Sequence, residues 1–284
     1  MIRLSAFGDE ISADLDEQIA VLHKENIHFL ELRGAWNTNV LDFSDQQVQR
    51  IAQTLSAQNI SVSAIGSPIG KVPINSSFAH HLERFERAIE LAHLFQTRFI
   101  RMFSFYPPTV AQHKAEYTVS SDPSQWREEV LSRLRDLTAR ADAANITLLH
   151  ENEKSIYGDT IARCVDLFQN INDARFQAIL DPANFIQCGQ APFPDGYKAL
   201  QPWLRYIHVK DARPDGSIVE AGEGAAHWPE LLQALQQDRY DGFFSLEPHL
   251  LTSEQFQGFS GPELFRHASQ AFQQLLKQMG WDYM

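Results

Sequence analysis

The sequence has few of the features that mark a secreted or membrane-bound protein. It contains only 2 cysteines in 284 residues, Cys164 and Cys188, and neither lies in a C-x-x-C pair. We therefore expect reduced thiols and no disulfide framework. No apolar run approaches the roughly 20 residues that cross a bilayer, and the first residues lack the pattern of a signal peptide. These absences predict a cytoplasmic protein with no membrane partner.

Basic residues are also scarce relative to acidic ones. The chain has 24 Lys and Arg against 36 Asp and Glu, which gives a formal net charge of −12 at pH 7. Because proteins bind the phosphates of nucleic acids through a basic face, this balance argues against nucleic acid as a partner. The same balance is typical of an ordinary cytosolic enzyme.

What the chain does contain is a repeated alternation of strand-like and helix-like apolar segments. The predicted strands span residues 2–7, 28–32, 60–65, 98–103, 146–151, 176–181, 205–212 and 242–247. Such alternation calls for parallel strands with helical crossovers, so the fold class is α/β. Eight units in a chain of this length predict one (β/α)8 TIM barrel, a single domain over residues 1–284. An open doubly wound sheet is the alternative, but Gly66-x-x-x-Gly70 has the wrong spacing for its phosphate turn.

A long polar segment interrupts this pattern at residues 104–124. Loops of this length inside a compact domain usually have a function. We interpret the segment as a candidate lid over the site or a candidate contact in a homo-oligomer.

Four consecutive predicted strands end in side chains that bind metals. These side chains are Glu151, Asp181, His208 and Glu247. Taken singly, each has an ordinary explanation, such as a cap for the next helix. Buried carboxylates are costly unless they are paired or bind a metal, and the carboxyl ends of neighbouring barrel strands meet at one point. Three carboxylates and one imidazole predict a site for one divalent ion, Mn²⁺, Mg²⁺ or Co²⁺, with Zn²⁺ as a further option.

The runs around these residues resemble the xylose isomerase-like barrels, that is, the sugar isomerase/epimerase superfamily. They are His150-Glu-Asn152, Leu180-Asp-Pro-Ala-Asn184, Ile207-His-Val-Lys-Asp211 and Gly242-Phe-Phe-Ser-Leu-Glu247. The resemblance implies that Glu151, Asp181, His208 and Glu247 are the metal ligands. It also implies that Glu151 and Glu247 are the catalytic residues that move the proton. A multi-zinc endonuclease of the same superfamily is disfavoured, because the third and fourth predicted strands end without the His that its extra zincs need.

Such a site permits proton transfer on a small sugar or polyol substrate. The ion acidifies the C–H beside a carbonyl, and one carboxylate removes that proton to leave a metal-stabilised cis-enediolate. Return of the proton to the other face gives epimerisation, and its return to the adjacent carbon gives isomerisation. Loss of hydroxide gives dehydration instead, as in an inosose dehydratase. An isomerase or epimerase is thus one hypothesis and a dehydratase is a second. The third is a non-catalytic barrel that binds a sugar or a metal.

Six further residues near the predicted strand ends are candidates for contact with the substrate. For two of them a structural role is the alternative, an ion pair with Asp211 for Lys210 and with Glu31 for Arg33. Asn184 stands where some epimerases of the superfamily have His. The full set of candidates is Lys210, Arg213, Asn184, Glu153, Arg33 and His249.

Overall fold

A closed barrel of eight parallel strands forms the centre of the protein, in a computed structural model that describes residues 1–108, 122–250 and 260–284. The strands are β1 (Arg3–Phe7), β2 (Phe29–Leu32), β3 (Ser61–Ile69), β4 (Phe99–Met102), β5 (Thr147–Glu151), β6 (Phe176–Leu180), β7 (Leu204–Val209) and β8 (Phe243–Leu246). They pair in chain order, and β8 closes the ring on β1 with Phe243 opposite Arg3. The predicted (β/α)8 barrel is confirmed. The candidate lid at 104–124 falls largely on residues 109–121, which lie outside the described residues.

Helices surround the barrel and connect its strands. They are α1 (Leu15–Lys24), α2 (Asp45–Ala57), α3 (Phe78–Leu94), α4 (Arg127–Ala143), α5 (Ile161–Ile171), α6 (Pro182–Gln187), α7 (Tyr197–Leu200), α8 (Trp228–Gln237) and α9 (Pro262–Gln278). Short antiparallel hairpins follow β2 (Gly34–Ala35 with Thr38–Asn39) and β7 (Asp211–Ala212 with Ile218–Val219). Across the three described ranges, no helix is both long and apolar enough to cross a bilayer.

An aromatic floor and a polar mouth follow one another along the inner face of β7. Side chains two residues apart share one face of a strand, so Tyr206 and His208 both point inward. Tyr206 stacks on Phe243 with ring centroids 5.4 Å apart, and Phe29 and Phe99 complete this layer. The aromatic rings fill the amino-terminal part of the barrel, where Ser63 is hydrogen-bonded to Ser5 and to the hydroxyl of Tyr206.

Strand β3 is longer than the sequence predicted. The expected strand ended at residue 65 with a loop over 66–70, but β3 continues to Ile69. Its pairing with β4 is irregular between Ile65 and Ile69, and Pro68 lies in that stretch. A proline is tolerated there because an irregular stretch does not use every backbone N–H. The predicted seventh strand is instead shorter, since β7 ends at Val209 and the chain turns into the hairpin at Asp211.

The turn after β3 requires glycine at position 70. Gly70 has φ +86°, and a Cβ there would lie 1.9 Å from the carbonyl oxygen of Phe103. Gly189 has a similar φ of +67°, but its Cβ would meet nothing within 4 Å. A substitution at Gly189 therefore tests the strain of positive φ alone, whereas the same substitution at Gly70 adds a steric clash.

We predict that Gly70→Ala destabilises the protein far more than Gly189→Ala. Gly189→Ala should lower the free energy of unfolding by about 1 to 2 kcal/mol, because an L-residue pays that strain at positive φ. Gly70→Ala should cost at least about 2 kcal/mol more, because the backbone of Phe103 has to move. Urea unfolding followed by circular dichroism measures both, and equal losses would contradict the steric argument.

Candidate functional site

Four strands deliver the predicted metal ligands to one point at the mouth of the barrel. Glu151 ends β5, Asp181 follows β6, His208 lies near the end of β7 and Glu247 follows β8. Their candidate ligand atoms all lie within 4.8 Å of one another. None of the four residues is more than 2% exposed. We call these residues the four-residue cluster.

His208 is oriented by carboxylates on both sides of its ring. Nδ1 lies 3.3 Å from Glu151 Oε1 and 3.5 Å from Glu247 Oε2, while Nε2 lies 3.3 Å from Glu31 Oε2 on β2. Burial acts to lower the pKa of His208, but Glu151 and Glu31 outweigh it and raise that pKa to about 10. A carboxylate behind the imidazole is the usual support of a metal-binding histidine. Because the raised pKa keeps His208 protonated at neutral pH, an ion that binds Nδ1 has to displace a proton.

The two proposed catalytic carboxylates each present one oxygen to the cluster and the other to an arginine. Glu151 directs Oε1 toward His208, and its Oε2 accepts a 3.1 Å hydrogen bond from Arg101. Glu247 directs Oε2 toward His208, and its Oε1 accepts a 2.7 Å hydrogen bond from Arg33. Burial acts to raise the pKa of Glu151, but His208 and Arg101 hold that pKa at about 2. Burial is likewise outweighed at Glu247, chiefly by Lys210 together with the neighbouring histidines and Arg33, and its pKa lies well below the ordinary value.

Asp181 also divides its two oxygens. Oδ1 accepts a hydrogen bond from the backbone N–H of Asn184 at 2.9 Å and so caps α6. This is the ordinary role considered for a residue at the end of a strand. Oδ2 lies 3.4 Å from Lys210 Nζ. Burial raises the pKa of Asp181 to about 6, although Lys210 opposes this. Asn152 fixes the position, because its side chain donates to the Asp181 carbonyl and accepts from the Asp181 N–H. The cap and the cluster are thus served by different atoms of one side chain.

Three cations, the buried Lys210 and Arg101 and the largely buried Arg33, offset the negative charge at the mouth. Lys210 Nζ lies 3.6 Å from Glu247 Oε2 in addition to its contact with Asp181. The guanidinium carbons of Arg33 and Arg101 lie 4.3 and 4.9 Å from the centre of the Phe7 ring. Buried ion pairs of this kind are stable only when their partners are well placed. The charged mouth is therefore a fixed arrangement that rests on the ring of Phe7.

The donor set fits a divalent cation. It comprises carboxylate oxygens and one imidazole nitrogen, the ligands that Mn²⁺, Mg²⁺, Co²⁺ and Zn²⁺ accept. Two of the atoms that face the centre, Glu247 Oε2 and His208 Nδ1, are buried and make no well-aligned hydrogen bond with the described residues. Buried polar atoms normally have such a partner. These two atoms therefore stand where a bound ion would satisfy them.

A cleft of about 680 Å³ opens above the four-residue cluster. This volume falls in the range of sites for small molecules. The charged and titratable groups of its wall include Arg33, Lys71, Arg101, Glu153, Glu247 and His249. Glu247 therefore borders both the cleft and the cluster.

The structure distributes the six candidate substrate contacts unevenly. Arg33, Glu153 and His249 line the cleft. Asn184 and Lys210 lie below it, where the Asn184 side chain donates to Glu151 at 3.1 Å and accepts from Lys210 at 3.3 Å. Arg213 is exposed on the hairpin after β7, away from the described wall of the cleft. The contact of each residue with a substrate stays a prediction.

Several charged residues of the mouth were not predicted from the sequence, Glu10 and Lys71 among them. Glu10, which is fully buried just after β1, lies 2.9 Å from Arg33 and 3.0 Å from His249. It follows its strand as the other acidic residues do, so the strand-end pattern applied to β1 would have found it. Lys71 pairs with Glu153 at 2.9 Å. It was missed because β3 was expected to end six residues before it.

Asp211 organises the loop that follows β7. Its carboxylate accepts four backbone N–H groups, from Ala212, Gly222, Gly224 and Ala226, at 2.8 to 3.1 Å. Lys210 finds its partners in Asp181 and Glu247 instead. Asp211 is therefore the base of the loop, and Lys210 belongs to the charged mouth.

Known proteins share the fold of this chain, and one has a similar sequence. The chain is 25% identical over 232 residues to a probable L-ribulose-5-phosphate 3-epimerase of Mycoplasma pneumoniae, covering 78% of this chain and 72% of that protein. It has the fold of the probable 3-DHS dehydratase AsbF of Bacillus anthracis, with a TM-score of 0.75, 18% identity and coverage of 96% and 99% of the two chains. It also has the fold of a xylose isomerase-like barrel of Mycobacterium smegmatis in complex with magnesium, with a TM-score of 0.68, 16% identity and 97% of both chains covered.

A family model matches most of the chain. Residues 19–275 match the model of the xylose isomerase-like TIM barrel. This range includes seven of the eight strands and the whole four-residue cluster. The chain therefore belongs to the xylose isomerase-like TIM barrel family.

Proposed function

We propose that the protein is a divalent-metal-dependent isomerase or epimerase of a small sugar or polyol. The observation that carries this proposal is the convergence of Glu151, Asp181, His208 and Glu247 beneath a cleft of about 680 Å³. A similar sequence that is a probable sugar-phosphate 3-epimerase supports the class of reaction. Structures with this fold that contain magnesium or zinc support a divalent ion.

In this proposal the four-residue cluster holds the ion. When bound, the ion supplies Lewis acidity that polarises a substrate carbonyl and acidifies the neighbouring C–H. Glu31 orients His208 through Nε2, and Asn152 and Asn184 fix Asp181 and Glu151. The ligands are thus held in place before the substrate arrives, which limits the reorganisation that the reaction needs.

Glu151 and Glu247 are the proposed proton carriers. Both carboxylates are ionised at neutral pH, since their pKa values are held low by the neighbouring cations, and so they are in the form that accepts a proton. Glu247 borders the cleft, whereas Arg101 lies between the cleft and Glu151. Use of both carboxylates on opposite faces of a substrate gives epimerisation, and use of one gives isomerisation.

The wall of the cleft supplies the proposed substrate contacts. Arg33, Glu153 and His249 reach it directly, and Lys210 and Asn184 approach from the floor. Arg213 would take part only from the loop after β7. Charged and amide groups of this kind suit the hydroxyl and carbonyl oxygens of a sugar or polyol.

Dehydration is the second candidate reaction, and the position of His249 favours it. Its Nε2 lies 3.0 Å from Glu10 and 3.6 Å from Glu247 at the edge of the cleft. An imidazole held in this way is suited to give a proton to a departing hydroxide, a step that isomerisation does not need. The fold of a probable 3-DHS dehydratase agrees with this alternative.

We predict that protein purified without chelator contains about one divalent ion per chain. His208→Ala should lose nearly all of it, because loss of the imidazole removes a ligand. His150→Ala is the matched control, since His150 is equally buried and precedes Glu151, yet packs on Phe168 and Phe176 outside the cluster. Mass spectrometry of the metal content measures the outcome. Equal metal in the two variants, or none in the unmodified protein, would refute the proposed metal site.

We predict that Glu247→Gln lowers turnover at least about 100-fold, the usual contribution of a positioned proton carrier. The assay follows deuterium uptake from heavy water during incubation of metal-loaded protein with a panel of ketoses and cyclitols. Glu25→Gln is the control for loss of a buried carboxylate, because Glu25 pairs with Arg266 on α9, away from the four-residue cluster. Full activity of Glu247→Gln would exclude Glu247 as a proton carrier.

A further inference from the structure

A second group of ligand-type atoms lies beside the four-residue cluster and shares Glu247 with it. This second group consists of Glu10, Glu247 and His249, whose candidate ligand atoms also lie within 4.8 Å of one another. Glu247 serves the two sides with different oxygens, Oε2 toward His208 and Oε1 toward His249. Two-metal enzymes place their ions about 3.5 to 4 Å apart, a spacing that one bridging carboxylate spans. The layout is therefore that of a dinuclear centre.

The guanidinium of Arg33 fills the second group. Nη1 donates to Glu247 Oε1 at 2.7 Å, and Nη2 donates to Glu10 Oε1 at 2.9 Å. Nε donates to both oxygens of Asp9, at 2.8 and 3.0 Å. Three carboxylates thus surround one side chain that is only 11% exposed. Burial acts to lower the pKa of Arg33, but these carboxylates outweigh it, so the group stays charged.

We propose that Arg33 is a built-in cation that takes the place of a second metal ion at Glu10, Glu247 and His249. It also fixes Oε1 of Glu247, so that Oε2 alone is offered to the ion of the four-residue cluster. This inference rests on the proposed function and deepens it, because it makes the centre mononuclear.

The substitution of a guanidinium for an ion decides which chemistry the mouth supports. A second metal ion would carry a water whose pKa is lowered enough to make it a nucleophile at neutral pH. A guanidinium carries no such water and does not release its own protons. Arg33 lines the cleft, so its guanidinium can donate hydrogen bonds to the oxygens of a polyol bound there. Arg33 therefore favours proton transfer on a bound polyol over hydrolysis.

The test counts the Mn²⁺ ions bound by each variant, by isothermal titration and by metal analysis after gel filtration. The unmodified protein should bind one Mn²⁺ per chain, even at millimolar Mn²⁺. Arg33→Met should bind two, because it leaves the carboxylates of the second group without their cation. Arg101→Met is the matched control. Arg101 is a buried arginine on a carboxylate of the cluster and lies 3.9 Å from Glu247 Oε1, but Arg33 still fills the second group when Arg101 is removed, so this variant should bind one.

The double variant Arg33→Met with His249→Ala identifies the ligands of the second ion, since it should return the count to one. Circular dichroism verifies folding, and Arg33→Gln serves if Arg33→Met does not fold. One ion in the folded Arg33 variants, or two in the unmodified protein, would overturn the inference and leave the proposed function standing. No Mn²⁺ in the unmodified protein would defeat the proposed function itself, and the inference with it.

Discussion

The compensation of buried carboxylates by fixed cations is the constraint on which the mouth of this barrel depends. A carboxylate that leaves water for a protein interior loses several kcal/mol of solvation unless partners replace it. Here Arg33, Arg101 and Lys210 supply those partners, each within 3.4 Å of a carboxylate oxygen. The same contacts that make the cluster tolerable also hold the pKa values of Glu151 and Glu247 low. The stability of the mouth and the ionised state of its two carboxylates thus arise from one set of ion pairs, so a change in any of these cations should alter both.

The barrel provides this arrangement through the pleat of its strands and the rings beneath the charges. Alternate residues of β7 supply an aromatic ring to the floor and an imidazole to the mouth, Tyr206 and His208. Both arginines lie over the ring of Phe7. That ring makes an edge-to-face contact with His208, with centroids 5.2 Å apart. The floor is buried, and the hydroxyl of Tyr206 is hydrogen-bonded within it to Ser63. Electrostatic interactions within the mouth are consequently stronger than they would be in solvent.

The sequence predicted most parts of this site that depend on local pattern, Glu10 excepted, and missed those that depend on distant contacts. Strand ends are local features, so the convergence of Glu151, Asp181, His208 and Glu247 was predicted from their positions alone, and the ring of neighbouring strands brings them together. The contact between Arg33 and Glu247 joins residues 214 positions apart, and no spacing rule predicts it. The extension of β3 to Ile69 had the same kind of cause. Its pairing with β4 overrides the Gly and Pro residues that locally predict a loop.

The hydrogen bonds of the loop after β7 determine which of its residues can vary. Four backbone N–H groups converge on Asp211, so the base of the loop is specified by one side chain. The tip, around Asp215 and Gly216, is exposed or half-buried and does not take part in this network. Exposed side chains of the loop that lie outside the network, such as Arg213, are therefore open to substitution while Lys210 stays in position. Divergence of specificity within a shared catalytic framework can begin at such a place, where sequence variation is decoupled from the geometry of the reacting groups.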